Sequence, residues 1–392
     1  MDKITYCIPS KSNLEYLKLA VKSIRENSFR KDHDIIIFVD SDEDGTVQWL
    51  ETHFKQFGIQ YFVNPELNTK LYGIGKAYDF CIDKATTEIV SVFHADMVLG
   101  QNADLEAYNL LQSQPKTVVS STRVEPPLHP NGGEKILRNF GLYPDQFQLR
   151  EFMKFVEEEV SKNVPPTDGI FAPWMVRKVD FQEIGGHDER FHSCREDSDL
   201  FNRMKLKGFT FLQSWKSLVY HFTGRGAGSF EGDVERHSKW KFDMENSSKE
   251  FIRKWGSHVL HTPLLHPIII PKFNISIFLE NPNFNLISIL EPWCNLLYLE
   301  SKHSALRDLY IEKTQSYTKD NLGNKVKLYD IKDNCGMNGI HMEINGENVT
   351  QELFNYVQNF SQYFKDFSDK GRFEICEGLI INFFDFQTLD II

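Results

Sequence analysis

An acidic turn at residues 40–46 directly follows an apolar run at residues 34–39. The run carries no polar side chain between Ile35 and Val39, as expected of a strand that is buried on both faces. Carboxylates at the carboxyl end of such a strand, here Asp40 and Asp42, can accept hydrogen bonds from the N–H groups of a ligand above the sheet. The alternative is an acidic surface turn that caps the next helix.

A histidine and an aspartate follow a second strand-like run. His94 and Asp96 come directly after the apolar residues 89–93. An imidazole nitrogen and a carboxylate oxygen two residues apart are ligands for a cation such as Mn²⁺ or Mg²⁺. The alternative is a loop aspartate that simply caps a helix.

Three carboxylates lie within four residues at Glu196, Asp197 and Asp199. Their mutual repulsion must be offset by a helix N-terminus, by nearby arginines or by the charge of a ligand. Apolar residues at helical spacing follow them, so we expect a helix to begin here. The pattern indicates either helix capping or a carboxylate that acts as a general base at the mouth of a pocket.

A glycine-rich loop follows a third strand-like segment at residues 217–220. His221 opens the loop, and Arg225 lies among its glycines. The backbone amides and the arginine of such a loop can contact phosphate, whereas a lone histidine is either a ligand or a structural residue. The loop lacks the G-K-[ST] sequence of a P-loop, so its pattern alone is nonspecific.

The elements that must position these residues alternate between strand and helix periodicity. Strands are predicted at residues 4–8, 34–39, 60–63 and 88–93. Helices are predicted behind a capping box at Ser12 and Glu15, over residues 47–57 and over residues 75–85. Such alternation with short connections predicts a parallel sheet with right-handed crossovers, whose ligands bind at the carboxyl ends of the strands.

A second, smaller α/β domain is predicted at residues 272–392. Closely spaced prolines indicate a linker over residues 263–271, which leaves residues 1–262 as the first domain. New strands are predicted at residues 275–279 and 295–300, and a helix with an apolar stripe over residues 353–367. No cluster of chemistry-bearing residues occurs here, so we expect a structural or interaction role.

The composition is that of a folded protein without a basic face. The chain has 392 residues, a formal net charge of −11 and 41% hydrophobic residues. An acidic total argues against broad capture of nucleic acid or of anionic membrane. Six scattered cysteines without a C-x-x-C pair indicate free thiols in a reducing cytosol. The first apolar segment is too short for a signal peptide, and no apolar run reaches the roughly 18 residues of a membrane span. We therefore expect a cytoplasmic protein.

The order of these motifs resembles the nucleotide-sugar-binding half of a family-2 glycosyltransferase with the GT-A fold. The matching segments are Cys7-Ile8-Pro9-Ser10-Lys11-Ser12-Asn13, Val39-Asp40-Ser41-Asp42-Glu43-Asp44-Gly45-Thr46, His94-Ala95-Asp96, Ile184-Gly185-Gly186-His187-Asp188-Glu189-Arg190-Phe191, Glu196-Asp197-Ser198-Asp199-Leu200 and His221. The resemblance covers roughly residues 3–260, about two thirds of the chain. It implies a Rossmann-like, mostly parallel sheet flanked by helices. It also implies inverting transfer of a sugar from a nucleoside-diphosphate sugar, with UDP favoured, to the hydroxyl of a glycan or other acceptor.

The resemblance further implies which residues bind the donor and the cation. Asp40 would hydrogen-bond the nucleobase, and the other donor-binding residues would be Pro9, Ser10, Asp42 and Arg225. Asp96 matches the last acidic position of the family's D-x-D metal motif, whereas His94 replaces the first aspartate. With His221 these residues would bind Mn²⁺ or Mg²⁺.

On the acceptor side, Asp197 falls where the family places its general base, with Glu196 beside it. Trp174 is a candidate platform for the acceptor sugar because aromatic faces stack on sugar rings, and core packing is its alternative.

Two other functions stay open at this point. A sugar-1-phosphate nucleotidyltransferase would need a glycine-rich basic loop after the first strand, and residues 9–13 contain no glycine. A non-catalytic module that binds glycans or nucleotide sugars is the other alternative, which the replacement of an aspartate by His94 favours and the presence of Glu196, Asp197 and Asp96 disfavours.

Overall fold

The structure, a computed structural model, describes residues 1–224, 234–329 and 339–390. The chain divides into two compact units, one formed by Met1–Asp243 with His261–Pro267 and the other by Met244–Leu260 with Ile268–Ile392. Each unit contains one sheet and several helices, which confirms the predicted α/β class with a second, smaller α/β unit. Among the described helices, none has the length and apolar character needed to cross a membrane.

The first unit is built on a mostly parallel sheet. Its strands are β1 (Ile4–Lys11), β2 (Asp34–Ser41), β3 (Ile59–Val63), β4 (Ile89–Val92), β5 (Met97–Leu99), β6 (Thr117–Glu125), β7 (Lys135–Leu137), β8 (Trp174–Arg177) and β9 (Thr210–His221). Their order is β3-β2-β1-β4-β8-β6-β9-β5, with β7 beside β6. Strands β8 and β5 run antiparallel to their neighbours, and the other described pairs are parallel.

Helices flank this sheet on both faces. They are α1 (Leu14–Asn27), α2 (Thr46–His53), α3 (Ile74–Lys84), α4 (Ala103–Gln112), α5 (Leu149–Ser161), α6 (Lys178–Ile184) and α7 (Glu196–Leu206); a further helix, α8 (Val234–Trp255), contains the residues at which the two units divide. Alternate residues of β2 pack into different cores, with Ile37 in the core that contains α1 and Phe38 in the core that contains α3. This explains why the sequence of β2 is apolar without interruption.

The topology brings the polar motifs to one edge of the sheet. Because β1, β2 and β4 are parallel neighbours, the acidic turn after β2 and His94 after β4 lie at the same strand ends. Strand β5 then pairs with β9 so that Met97 lies opposite His221. The backbone N–H of Phe222 donates to the carbonyl oxygen of Asp96 at 3.1 Å, which fixes His221 beside Asp96.

The predicted capping box at Ser12 and Glu15 is wrong. Ser12 has a positive φ of 48°, and its hydroxyl accepts from the backbone N–H of Glu43 at 3.0 Å. The N–H of Leu14, the first residue of α1, donates to Asp44 Oδ2 at 2.6 Å. A carboxylate from the acidic turn therefore supplies the acceptor that a local cap would have supplied.

The second unit contains its own sheet. Its strands are β10 (Ile275–Glu280), β11 (Leu296–Glu300), β12 (Val326–Tyr329), β13 (Ile340–Asn345), β14 (Gly371–Cys376) and β15 (Leu379–Phe383). Its helices after α8 are α9 (Phe284–Leu290), α10 (Ser304–Thr314), α11 (Leu322–Lys325), α12 (Gln351–Gln358) and α13 (Phe360–Tyr363). The strand order is β12-β11-β10-β13-β15-β14. Both strands predicted here form, whereas the predicted helix over residues 353–367 is interrupted at Asn359.

Candidate active site

Three side chains that can bind one cation converge beyond the end of β4. One ligand atom each from His94, Asp96 and His221 lies within 4.8 Å of the others. His221 Nε2 is 3.4 Å and His94 Nδ1 is 4.0 Å from Asp96 Oδ1. Ligands that are bound about 2.1 Å from one ion lie roughly 3–4 Å apart, so small side-chain movements would let all three reach it. Two imidazoles and a carboxylate are a donor set suited to Mn²⁺.

The two imidazoles of this cluster have opposite electrostatic surroundings. Burial lowers the pKa of His94 to about 4, so this ring is neutral at pH 7 and keeps a lone pair for a cation. Burial alone would also lower the pKa of His221. The carboxylates of Asp96 and Glu125 outweigh this effect of burial and raise the pKa of His221 to about 9. In the protein without a cation, the proton on His221 therefore offsets the charge of these carboxylates.

Glu125, at the end of β6, contacts the nitrogen of His221 that faces away from Asp96. The distance from His221 Nδ1 to Glu125 Oε1 is 2.8 Å, and because a carboxylate only accepts, Nδ1 carries the proton. Sequence reasoning missed Glu125. The signal that could have found it is the Arg123-x-Glu125 spacing, since residues two apart share one face of a strand.

Tyr78, a buried residue of α3, lies beside the cluster of His94, Asp96 and His221 and beside the segment that leads into α7. Its ring centroid is 6.4 Å from that of His94 and 6.1 Å from that of His187. Burial, followed by the charges of Asp96 and Glu196, raises the pKa of Tyr78 well above its ordinary value. Sequence reasoning missed this residue as well, because a tyrosine at helical spacing is typical of a core position.

The three carboxylates of the acidic motif have different surroundings in the first turn of α7. Asp199 is fully buried, and its Oδ2 accepts from Arg203 Nε at 2.7 Å. Asp197 is half-buried, and its Oδ1 accepts from the backbone N–H of Ser198 at 2.6 Å. Glu196 Oε2 is buried without a hydrogen-bond partner among the described residues. Burial and then the charge of Asp197 raise the pKa of Glu196.

The glycine-containing segment before α7 is bound to α3. Gly186 has a φ of 74°, and a Cβ there would lie 2.8 Å from Asp79 Oδ2. A Cβ on Gly75 would likewise lie 2.9 Å from the Cβ of His187. Only glycine permits this close approach of the segment to α3. The segment is also attached to α7, because Arg203 of that helix donates to the carbonyl oxygens of Ile184 at 3.0 Å and of Gly186 at 2.7 Å.

Asp40 binds backbone amides of its own chain. It is 6% exposed and accepts from the N–H groups of Tyr72 at 2.6 Å and Gly73 at 3.2 Å. It also accepts from Asn64 Nδ2 at 3.0 Å. Asp40 therefore shapes the turn that leads into α3, and its contact with a nucleobase stays a prediction.

The remaining donor-side residues also lie at this edge of the sheet. Asp42 accepts from the N–H of Thr46, the first residue of α2, at 2.7 Å. This contact is the helix capping that the sequence left open as the alternative to ligand binding. Ser10 is buried, and its hydroxyl donates to Asn13 Oδ1 at 2.8 Å, while Pro9 beside it is half-buried. Arg225, the predicted phosphate contact, lies outside the described residues.

Trp174 is a core residue. It is 3% exposed, and its ring stacks on Phe181 with centroids 6.1 Å apart and an interplanar angle of 29°. Phe201 contacts it edge-on, with centroids 6.1 Å apart. Because neighbouring rings surround it, no sugar can stack on it in this structure. The acceptor role predicted for Trp174 is therefore corrected to core packing, the alternative that the sequence left open.

Comparisons with known proteins show what the chain is similar to. No curated protein sequence matches the chain. Among solved structures, the chain is similar to GalNAc-T7 in a crystal structure with UDP, GalNAc and Mn²⁺, with a TM-score of 0.47 and 12% identity over 65% of this chain and 48% of that one. It is also similar to residues 1–349 of S. aureus TarS in complex with UDP, with a TM-score of 0.41 and 12% identity over 64% of this chain and 72% of that one.

The chain thus spans about half the length of the GalNAc-T7 structure. A family model described as Glycosyl transferase family 2 matches residues 5–185, a range that contains the acidic turn, His94 and Asp96. The match covers slightly less than half of the chain, and over these residues the chain is similar to the members of that family.

Proposed function

We propose that the chain is a metal-dependent, inverting glycosyltransferase. It transfers a sugar from a nucleoside-diphosphate sugar, with UDP favoured, to the hydroxyl of a glycan or other acceptor. The observation that carries the proposal is the cluster of His94, Asp96 and His221 at the strand ends, with the ring of Tyr78 beside His94. The family match over residues 5–185 supports the reaction class.

The residues of the cluster fit a divalent cation. Their nitrogen and oxygen ligands face one another within 4.8 Å, and His94 is neutral at pH 7. When bound there, Mn²⁺ or Mg²⁺ supplies charge stabilisation for the leaving diphosphate. His94, Asp96 and His221 would hold the ion, and the acidic turn with Pro9, Ser10, Asp40 and Asp42 would line the nucleotide side of the pocket.

Asp197 acts as the general base in this proposal. The acceptor oxygen forms a bond to the anomeric carbon while the bond from that carbon to the diphosphate oxygen breaks, and Asp197 takes the hydroxyl proton. Attack from the face opposite the diphosphate inverts the anomeric carbon. Ser198 orients Asp197, and protonation of Glu196 would reduce the repulsion between these adjacent carboxylates.

We also propose roles for the parts of the chain that do not contact the substrates. Residues 1–262 are the catalytic domain, residues 263–271 a linker and residues 272–392 an accessory domain. The cytoplasmic location that the scattered cysteines indicate belongs to the same proposal.

A donor screen tests this function. The purified chain is incubated with Mn²⁺ and a panel of UDP- and GDP-sugars, and released nucleoside diphosphate is measured. We expect release from at least one donor and a loss of about 10²–10⁴-fold in Asp197→Asn, as for removal of a general base. Glu157→Gln, which changes an exposed carboxylate of α5, is the matched control and should keep full activity.

Two other outcomes would contradict the proposal. Donor binding without turnover for any nucleotide sugar would indicate a binding module. Pyrophosphate release from a nucleoside triphosphate and a sugar 1-phosphate would indicate a nucleotidyltransferase.

A further inference from the structure

Charged side chains are buried behind His221, on the side that faces away from Asp96. Arg123, Glu125, Glu134 and Lys135 are each 9% exposed or less. Glu125 uses both of its oxygens, because Oε1 contacts His221 Nδ1 at 2.8 Å and Oε2 contacts Lys135 Nζ at 2.8 Å. Arg123 contacts Glu125 Oε1 at 2.7 Å and Glu134 Oε1 at 3.2 Å. Two cations and two anions therefore balance one another in the interior.

The strand pairing assembles this group. Arg123 and Glu125 are two residues apart on β6 and share a face, and Lys135 on β7 is the register partner of Arg123. A buried carboxylate is stable only when its oxygens are bound, and here a guanidinium, an ammonium and an imidazole bind them. Arg123 and Lys135 together hold Glu125 in place behind the imidazole.

We propose that Glu125 is a positioning residue for the cation site, which fixes the Nδ1–H tautomer and the orientation of His221 so that Nε2 faces Asp96. This inference rests on the proposed metal dependence. A histidine ligand whose other ring N–H is bound by a carboxylate is held in orientation and is a stronger ligand. Arg123 and Lys135 keep Glu125 on the far side of the ring, so the carboxylate orients His221 instead of competing for the cation.

The test is the affinity of the full chain for Mn²⁺, measured without substrate from the electron paramagnetic resonance signal of free Mn²⁺. Glu125→Gln should weaken binding by about 10–100-fold, as for removal of a carboxylate that orients a metal-binding histidine. Glu134→Gln is the matched control. It removes the same charge from the same buried group and leaves Arg123 with one neutral partner, but Glu134 does not contact His221, so the affinity for Mn²⁺ should be unchanged. Thermal unfolding of both variants measures whether their stabilities are comparable.

Each outcome decides between the inference and the function on which it rests. If the wild-type chain does not bind Mn²⁺, the proposed metal dependence is wrong, and the inference with it. If the wild type binds and Glu125→Gln binds equally well, only the positioning role is wrong. Equal weakening in Glu125→Gln and Glu134→Gln would show that the group acts through its charge alone, which also contradicts the inference.

A second variant serves if Glu125→Gln does not fold. Glu125→Asp keeps the charge, but its carboxylate is one methylene shorter and cannot reach His221 from the same backbone position. It should therefore lose affinity for Mn²⁺ as well, and wild-type affinity in this variant would overturn the positioning role.

Discussion

His187 donates to both carboxylate oxygens of Asp79, from its backbone N–H to Oδ2 at 2.9 Å and from Nδ1 to Oδ1 at 2.7 Å. Asp79 lies on α3, and His187 lies in the segment that leads into α7. The pair therefore fixes the start of α7, and with it Glu196 and Asp197, relative to a helix that packs on the sheet. The glycine-containing motif therefore binds α3 and leads directly into the helix that begins with Glu196.

Asp79→Asn should loosen this attachment. Asparagine offers one acceptor oxygen in place of two and carries no charge, so His187 keeps both contacts only if its ring proton moves from Nδ1 to Nε2, and both hydrogen bonds then lose their charge assistance. We expect a fall of about 1–3 kcal/mol in the free energy of unfolding, measured by urea denaturation, together with slower donor turnover. Asp83→Asn, an exposed position on the same helix, is the control and should change neither quantity. An unchanged stability in Asp79→Asn would show that the two hydrogen bonds do not hold the segment.

Asp197 and Asp199 should respond to substitution in opposite ways. Asp199 is fully buried against Arg203, so Asp199→Asn should lower the free energy of unfolding by about 3–5 kcal/mol, as for breaking a buried ion pair. Asp197→Asn should leave stability nearly unchanged and remove turnover. Urea denaturation and a nucleotide-release assay on both variants measure the two effects. If Asp199→Asn lost turnover but kept its stability, Asp199 and not Asp197 would be the general base.

A buried carboxylate in the second unit should make its stability depend on pH. Glu291 is 0% exposed and is bound by Lys325 Nζ at 2.7 Å, by Arg253 Nε at 3.1 Å and by the hydroxyl of Tyr310 at 2.9 Å. Burial alone would raise the pKa of Glu291, but Lys325 and Arg253 outweigh it and lower the pKa to about 2. An unfolded glutamate has a pKa of about 4.3.

Because the folded pKa is the lower one, this contribution is fully present above about pH 5 and is lost as the pH falls toward 2. A difference of about two pKa units corresponds to about 3 kcal/mol. We expect Glu291→Gln to be less stable than the wild type at pH 7, and the difference between them to shrink between pH 5 and pH 3 in urea denaturation. If the stability difference between the wild type and Glu291→Gln did not change with pH, the ion pairs of Glu291 with Lys325 and Arg253 would not be the source of that stability.

The fold was largely predictable from the sequence because its periodicities are local. The apolar run of β2, for example, needs no knowledge of its neighbours to be identified as a buried strand. The cap of α1 was not predictable, because the acceptor for Leu14 comes from Asp44, which reaches it only after β2 has paired with β1. Strand β5 was also missed, since three residues carry no periodic signal.

The sequence likewise identified some residues of the candidate site and missed others. His94, Asp96 and His221 were identifiable because each follows a strand-like segment, and the β5–β9 pairing then brings them together. Glu125 and Tyr78 were not, because their closeness to the cluster depends on strand order and helix packing. Trp174 was misassigned because an aromatic residue on a sugar-binding surface and one in a core have the same local sequence signal.

The most direct test of the central claim is whether a nucleotide binds through a cation held by His94, Asp96 and His221. Isothermal titration calorimetry would measure UDP binding to the wild-type chain and to Asp96→Asn, each in Mn²⁺ and in EDTA. We expect wild-type binding to be at least about tenfold tighter in Mn²⁺ than in EDTA, a difference of about 1.4 kcal/mol, and Asp96→Asn to lose that difference. Equal affinity for UDP under all four conditions would contradict the account.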